Sequence, residues 1–389
     1  MERLIYPILL LVFLCTACKH DLPEPPNEHK SRTIIVYAAA ENSLARFFYS
    51  DSLEMALGCN SIPKDVNFIV YKDGADYPSI YSVTAKRGFT LHKQYRQDQD
   101  SADSTVMLST LRDIAKDFPA EHYGLILWSH GSGWISKKEY APQKKAILID
   151  NNVNSTSSNF GSQMDISELH WVLRNFHHLD YLFYDACFMQ SVESDFELRD
   201  VVDYIIASPA EIPGNGAPYH RIMSALCQAD GEKIIHEYFD EYDDNGEGVV
   251  LSLVDCKQLD ALARKTAEFI PTLAESQREL ETRDIQHYVP FLSSNSYRPS
   301  PFDISSAMHR HLDDSQYQEW KKYFNQAVPL RLATDSWTSI FYSPQITDRE
   351  HFGGLSMFIP HSKYDYYGWN RQFQETQWYK AAGWHLTGW

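Results

Sequence analysis

A histidine and a cysteine each follow an apolar run of strand length. LILWS (125–129) precedes His130, and LDYLFYDA (179–186) precedes Cys187. An imidazole can accept the proton of a nearby thiol, and the resulting thiolate can attack a carbonyl carbon. The carboxyl ends of strands in an open α/β sheet are where ligands bind. The pair therefore predicts a cysteine hydrolase whose chemical step needs no metal.

The residues after Cys187 predict a helix over 187–200. A helix N-terminus has partial positive charge and free N–H groups, which favour the thiolate form of a cysteine. The competing interpretation is structural, because a lone buried Cys is usually a core residue. We expect that core role for Cys59, Cys227 and Cys256.

Other hydrolytic chemistries lack their motifs. The sequence has no HExxH and no pair of CxxC motifs, and His177–His178 has no third ligand at a plausible spacing, so a catalytic zinc site is not expected. Ser132 lies in HGSG, which is not the G-x-S-x-G nucleophile elbow. No phosphate-binding P-loop motif is present either.

Apolar runs alternate with amphipathic segments, which predicts an α/β sandwich with a mostly parallel central sheet. At 389 residues, a large domain with an accessory unit is expected. We assign 32–260 to the main domain and 261–389 to a C-terminal accessory subdomain that packs on it. The predicted strands are 32–40, 66–73, 123–129, 146–150, 179–185, 204–208, 249–255 and 352–360, and the predicted helices are 42–57, 101–118, 164–176, 187–200 and 257–275.

The first 17 residues have the features of an export signal. Arg3 precedes an apolar run that is too short to span a bilayer, and Thr16-Ala17-Cys18 follows it. This pattern resembles a bacterial lipoprotein signal, with Cys18 as the lipidated first residue of a protein exported and anchored to a bacterial membrane. A plain secretory signal in which Cys18 is incidental is the alternative. Residues 18–31 are polar and proline-bearing, as expected of a tether.

A formal net charge of −17 argues against nucleic acid as a partner, because phosphate binding requires basic surface. The same charge would attract basic peptides, although it would equally serve solubility. We expect the protein to be a monomer.

Four stretches together resemble the clostripain family of cysteine peptidases. They are YAAAENSL (37–44), WSHGSGW (128–134), YDACFMQSVE (184–193) and SPAEIPGNGAPY (208–219), and GLSMFIP (354–360) matches more loosely. The resemblance implies a caspase-like three-layer sandwich. It also implies an endopeptidase that cleaves after Arg or Lys through a thioester on the enzyme.

The resemblance also implies roles for individual residues. His130 would be the general base and Cys187 the nucleophile, and the backbone N–H groups of Gly131 and Cys187 would bind the oxyanion. Asp185 would form the base of the S1 pocket, the pocket for the side chain before the cut, where a carboxylate can pair with Arg. Asp185 could instead cap the helix predicted after it.

Further expectations follow from the resemblance with less support from the residues themselves. Ser208 and Glu211 would line the S1 pocket. Self-cleavage between His130 and Cys187 would occur after one of four lysines. Calcium is needed in parts of the family, but neither 150–159 nor 241–248 fits an EF-hand, so no structural calcium site is identified. The four candidate lysines are Lys137, Lys138, Lys144 and Lys145.

Two other functions remain open from the sequence. A cell-surface lipoprotein could use the same fold for binding without catalysis. A peptidase with the same pair could also cleave after a residue that is not basic.

Overall fold

The computed structural model describes residues 29–135, 147–151, 161–276, 279–289, 301–337 and 345–389. The strands are β1 (Lys30–Ala39), β2 (Val66–Asp73), β3 (Ser79–Thr84), β4 (Gly88–Gln94), β5 (Ala120–Trp128), β6 (Ile147–Asp150), β7 (Ser162–Met164), β8 (Leu179–Asp185), β9 (Val202–Ala207), β10 (Val250–Asp255), β11 (Phe302–Asp303), β12 (Leu330–Ala333) and β13 (Ser356–Met357). The helices are α1 (Ala45–Gly58), α2 (Ser104–Asp117), α3 (Ile166–Arg174), α4 (Val192–Leu198), α5 (Tyr219–Gln228), α6 (Gly231–Asp244), α7 (Leu259–Ala267), α8 (Ile270–Ser276), α9 (Ile304–His311), α10 (Asp314–Ala327), α11 (Trp369–Glu375) and α12 (Gln377–Ala381).

Within the described residues, nine strands form one sheet in the order β12-β10-β9-β8-β5-β1-β2-β3-β4. The five strands from β9 to β2 are parallel to one another. The edge pairs, β10 with β12 and β3 with β4, are antiparallel. The carboxyl ends of the five central strands therefore meet at one edge of the sheet, where the candidate residues follow β5 and β8.

Helices cover both faces of the sheet because its central strands are apolar on both faces. In β1, Ile34 and Val36 pack with residues of α1, α5 and α6. Ile35 and Tyr37 point to the other face and pack with residues of α2, α3 and α4. This alternation is what a strand buried between two helical layers requires. The expected three-layer α/β sandwich is confirmed.

The prediction of a helix over 187–200 is wrong at its start. Strand β8 ends at Asp185, but α4 begins only at Val192, and a turn fills the interval. Phe188 in this turn has φ 62°, a left-handed conformation that no helix contains. The single helix predicted over 257–275 is also divided, into α7 and α8.

The C-terminal part of the chain is continuous with the sheet and its core. Strand β12 pairs with β10, whereas β13, inside the strand predicted over 352–360, pairs with β11 in a separate two-stranded sheet. Trp320 and Trp378 belong to the same core cluster as Leu127 of β5. The predicted boundary at 260/261 falls inside α7, and whether the two parts fold separately stays a prediction.

Three cysteines outside the candidate site, Cys59, Cys227 and Cys256, are buried free thiols. Burial raises the pKa of the Cys227 thiol to about 12 and that of Cys256 well above its usual value. Both thiols are therefore protonated and unreactive at neutral pH. None of the helices described above is long and apolar enough to cross a bilayer.

Candidate active site

The register between β5 and β8 brings His130 and Cys187 to the same edge of the sheet. These strands are parallel neighbours, and Trp128 pairs directly with Asp185. His130 and Cys187 each lie two residues beyond that pair, so both leave neighbouring strands at the same edge of the sheet. The placement predicted from two separate strand ends is thus explained by strand pairing.

Cys187 is half-buried in the turn between β8 and α4, and a second loop packs against this turn. Phe188 N–H donates to the carbonyl of Ala210 over 2.9 Å, and Gln190 N–H donates to that of Ser208 over 3.0 Å. The Ile212 N–H donates to Cys187 Sγ over 3.5 Å. Because α4 starts only at Val192, Cys187 is not in the first turn of that helix, and the N–H of Ile212 is a donor that reaches its sulfur.

Gly131 is in a position that leaves no room for a side chain. A Cβ there would lie 2.5 Å from the Cys187 carbonyl oxygen and 2.9 Å from Met189 Sδ. Real Cβ atoms do not approach backbone oxygen so closely, so only glycine allows this contact between the two loops. The contact fixes the backbone after the histidine directly against the backbone of the cysteine.

The two residues that follow Ser132 hold the loop in shape. Gly133 has φ 84°, which favours glycine, and a Cβ there would be 3.2 Å from the Phe188 carbonyl oxygen. The Trp134 ring packs against Phe358 and Phe373, with centroids 5.3 and 6.0 Å away. A tight turn at Gly133 and a packing anchor at Trp134 account for both residues.

His130 has a partner that sequence reasoning missed. Its Nε2 is 2.9 Å from Ser43 Oγ, in the loop after β1. The neighbouring Asn42 holds this loop, since its side-chain N–H groups donate to the carbonyls of Ala39 and Ile149 over 2.8 and 2.9 Å. Position 43 lies within the family-like stretch 37–44, but nothing in that stretch indicates which residue contacts the histidine.

Asp185 is buried, with 3% of its surface exposed. Its Oδ1 accepts the N–H of Ala217 over 3.1 Å, and its Oδ2 accepts the hydroxyl of Tyr219 over 2.9 Å. Burial raises the pKa of Asp185 to about 7, while these two hydrogen bonds lower it. The alternative role as a helix cap is excluded, since the next helix begins seven residues later.

A second buried acid, Asp51 of α1, lies close to Asp185. Its Oδ2 accepts the indole N–H of Trp128 over 2.6 Å. Burial, together with the charge of Asp185, raises the pKa of Asp51 to about 9. The sequence did contain a signal for it, because Asp51 stands on the apolar face of α1 that also carries Phe48 and Met55.

The other residues expected at the S1 pocket lie in the loop after β9. Ser208 is fully buried, and its hydroxyl accepts the N–H of Ala210 over 3.1 Å. Glu211 is half-buried, directly before Ile212, whose N–H reaches the cysteine sulfur. Their roles in substrate binding stay predictions. Lys137, Lys138, Lys144, Lys145 and Cys18 lie outside the described residues.

An apolar cleft adjoins the turn that carries Cys187. Trp134 and Phe188 line it from the two strand ends, and Met357 and Phe358 line it from the C-terminal part of the chain. The C-terminal part of the chain therefore supplies one wall of this cleft.

Two groups of side chains in the described part of the chain could ligate a metal ion. His309, Asp348 and His351 form one group, in which the two imidazoles stack with centroids 3.3 Å apart. The other group is carboxylic and follows β1 and β2. Neither group contains His130 or Cys187.

Comparison with known proteins relates this geometry to a peptidase family. The model of the clostripain family, peptidase C11, matches residues 36–389. A secreted C11 cysteine protease from Bacteroides thetaiotaomicron, solved with an irreversible peptide inhibitor, is 28% identical, with a TM-score of 0.75 over 91% of this chain and 99% of that one. An inactive zymogen C11 protease from Parabacteroides distasonis is 24% identical, with a TM-score of 0.77 and the same coverage. Proteins with curated functions gave no match. The expected caspase-like fold is confirmed.

Proposed function

The chain belongs to the clostripain family of cysteine peptidases, and from this premise we propose that it is an endopeptidase that cuts after Arg or Lys. The observation that carries the proposal is the pairing of Trp128 with Asp185. This register supports the proposal because it brings the ends of β5 and β8, which His130 and Cys187 follow, to one edge of the sheet. A buried acid, Asp185, lies two residues before the proposed nucleophile.

In the proposed reaction, His130 takes the proton from Cys187 Sγ, and the thiolate attacks the carbonyl carbon of the scissile bond. The oxyanion that forms accepts hydrogen bonds from the N–H groups of Gly131 and Cys187. Collapse of this intermediate breaks the C–N bond, and His130 gives its proton to the leaving amine. Water, deprotonated by His130, then hydrolyses the thioester and releases the thiol.

Asp185 would select the basic side chain before the cut. Its carboxylate can accept two parallel hydrogen bonds from a guanidinium, or one from an ammonium. The two buried acids cannot both be charged at low cost, so Asp51 keeps its proton while Asp185, with two donors, ionises first. A cationic side chain of the substrate would neutralise the negative charge of this acidic pair.

The S1 pocket must open before such a side chain enters. Asp185 has almost no exposed surface, and Gly216 covers it so closely that a Cβ there would be 2.9 Å from Oδ1. The loop over 208–217 also contacts Cys187 through Ile212. Movement of this one loop would uncover both the nucleophile and the acid.

Cleavage of matched fluorogenic peptides tests the proposal. We expect turnover of Arg and Lys peptides, none of the peptide with neutral citrulline in place of Arg, and none at all with Cys187→Ala. Cys59→Ala is the control, because that thiol is buried elsewhere. Equal turnover by wild type and Cys187→Ala would favour a binding protein, and cleavage after neutral residues alone would refute basic specificity.

We propose that the protein cuts its own chain between His130 and Cys187, and that this cut allows the S1 pocket to open. The expected positions are Lys137, Lys138, Lys144 and Lys145. Wild type should convert to two fragments, while Cys187→Ala and the fourfold Lys→Ala chain should stay intact. A fully active chain that remains uncut would contradict this step.

The proposed location is a bacterial membrane surface, reached by export and lipid attachment at Cys18. The solved Bacteroides thetaiotaomicron relative is described as secreted, which supports export. We expect labelled palmitate to be incorporated into the wild type but not into Cys18→Ala. We also expect the variant to be released from membranes. We further expect a monomer that uses no cofactor in the chemical step and acts on basic peptides or proteins rather than nucleic acid.

A further inference from the structure

A cavity of about 400 Å³ lies next to the apolar cleft at the candidate active site. Trp134 and Glu193 line both spaces, so the cavity and the cleft share a wall. The N-cap residue of α3 and residues of α4 and α11 add three more acids to the cavity, Asp165, Glu197 and Glu375. No Lys, Arg or His is among the described residues that line it. The cavity is therefore acidic, with four carboxyl groups and one aromatic wall.

Glu193 is the acid that points to a ligand, because it is buried with one oxygen unsatisfied. Only 2% of its surface is exposed. Its Oε1 accepts the N–H of Phe358 over 2.7 Å, but its Oε2 has no hydrogen-bond partner. Burial raises the pKa of Glu193 to about 7, while hydrogen bonds from the backbone N–H of Phe358 and from Ser191 lower it. A buried carboxylate in this state is stabilised by a cation placed beside it.

The four acids are arranged for an organic cation and not for a metal ion. Carboxylates that ligate one ion must bring their oxygens close together. Among the described residues, no three of these acids form a group whose ligand oxygens lie within 4.8 Å of one another. Their charges instead surround a space large enough for a side chain. The ring of Trp134 suits Lys and Arg, which pack their methylene stems and charged heads against aromatic faces.

The cavity and the proposed S1 pocket lie on opposite faces of the sheet. Asp185 contacts Tyr219 of α5, on the face covered by α1, α5 and α6. The cavity is bordered by α3 and α4, which cover the other face. A peptide whose basic side chain reaches Asp185 therefore arrives at the cavity only after it has crossed the strand ends at Cys187. The cleft between Phe188 and Trp134 leads in that direction.

We propose that this cavity binds a second basic side chain of the substrate, on the C-terminal side of the cut. The proposal rests on the function proposed above and names its preferred substrates as peptides with basic residues on both sides of the scissile bond. A Lys or Arg in the cavity would lay its stem along Trp134 and place its charge among the four acids. The Oε2 of Glu193 would then gain the cationic neighbour that it lacks.

Internally quenched peptides test the cavity. Each has one Arg before the cut and carries either Lys or its uncharged analogue norleucine at one of the four positions after it. Mass spectrometry identifies the products, so that only cuts after Arg are counted. At one position, Lys should raise kcat/KM about tenfold over norleucine, as expected for a hydrogen bond to a charged group.

Variants of two lining acids should reduce this preference. Glu193→Gln keeps an acceptor for the N–H of Phe358, and Glu197→Gln provides a second variant in case the first fails to fold. Each should lower the ratio of Lys to norleucine turnover at least threefold. Glu121→Gln is the control, because Glu121 is an exposed acid at the amino end of β5 and should leave the ratio unchanged. A Lys preference that both cavity variants retain would overturn the proposal.

Binding to the Cys187→Ala chain separates this proposal from the proposed function. The same peptides, labelled with a fluorophore, should bind this chain about tenfold more tightly with Lys than with norleucine at one of the four positions. Cleavage after Arg with no preference for Lys after the cut would overturn the cavity assignment and leave the peptidase assignment intact. Absence of any cleavage would refute the peptidase, and equal binding of the Lys and norleucine peptides would overturn the cavity assignment in that case too.

Discussion

Ser43 Oγ lies 2.9 Å from Nε2 of His130 and joins the loop after β1 to the end of β5. Strands β1 and β5 are parallel neighbours, so both loops leave the sheet at the same edge. A hydrogen bond at Nε2 restricts the orientation of the imidazole ring. Ser43 is therefore a positioning residue for the proposed general base.

Ser43→Ala should lower kcat/KM by about tenfold without unfolding the protein, since a hydrogen bond to a charged partner contributes roughly 1.5–3 kcal/mol. The loss should fall mainly on kcat, and the acidic limb of the pH–rate profile should move because the imidazolium loses a partner. Ser50→Ala, an exposed serine of α1, is the matched control. An unchanged pH profile would argue that Ser43 has no part in orienting the ring.

The central strands of the sheet could be predicted because they are buried on both faces. Strands β2 and β8 have the predicted bounds, since their apolar runs end at Asp73 and Asp185. The β3–β4 hairpin was missed because an edge hairpin has a polar face; β4 has no fully buried residue. The sequence also could not give strand order, on which the meeting of His130 and Cys187 depends.

The prediction of a helix directly from Cys187 is wrong because a contact with a distant loop fixes the turn there. The residues 187–200 have helical spacing, but the backbone at Phe188 is left-handed and is held there by the hydrogen bond to Ala210. That contact comes from a loop distant in sequence. Asp51 was missed although it stands on the apolar face of α1, because only the fold shows that it lies close to Asp185.

Asp185→Asn should reduce kcat/KM for Arg and Lys peptides by about 100-fold, since a charge-assisted pair is replaced by a neutral contact. Steady-state kinetics on already processed enzyme would separate this effect from maturation. Tyr219→Phe is the informative companion because it keeps the carboxylate and removes one of its donors. We expect a smaller loss, with the pH at half-maximal activity moved upward. Equal losses on basic and neutral peptides would mean that Asp185 has only a structural role.

The acidic pair makes stability depend on pH in a defined direction. Because the pKa values of Asp185 and Asp51 are raised to about 7 and about 9, both groups bind protons more tightly in the folded chain. Their contribution to stability is therefore fully present below about pH 4 and is lost as pH rises toward 9.

Asp51→Asn removes the group with the higher pKa while keeping an acceptor for Trp128. The free energy of unfolding at pH 8 should rise by about 1–2 kcal/mol, and its decline between pH 5 and 9 should become shallower. Urea unfolding in the Cys187→Ala background measures both quantities. A variant less stable than its parent at pH 8 would contradict the assignment of Asp51 as the protonated member of the pair.

Gly131→Ala should abolish most activity while the chain stays folded. The added Cβ would press on the Cys187 carbonyl at 2.5 Å and on Met189 Sδ at 2.9 Å, so the two loops must separate. Separation moves both proposed oxyanion donors at once, and loss of one such donor already costs roughly 100- to 1000-fold in kcat. We therefore expect kcat to fall at least 100-fold with little change in KM. Circular dichroism and Tm should stay close to wild type, because the shift is confined to the loops after β5 and β8. Retention of more than a tenth of wild-type kcat would show that close approach of these loops is not required for the reaction.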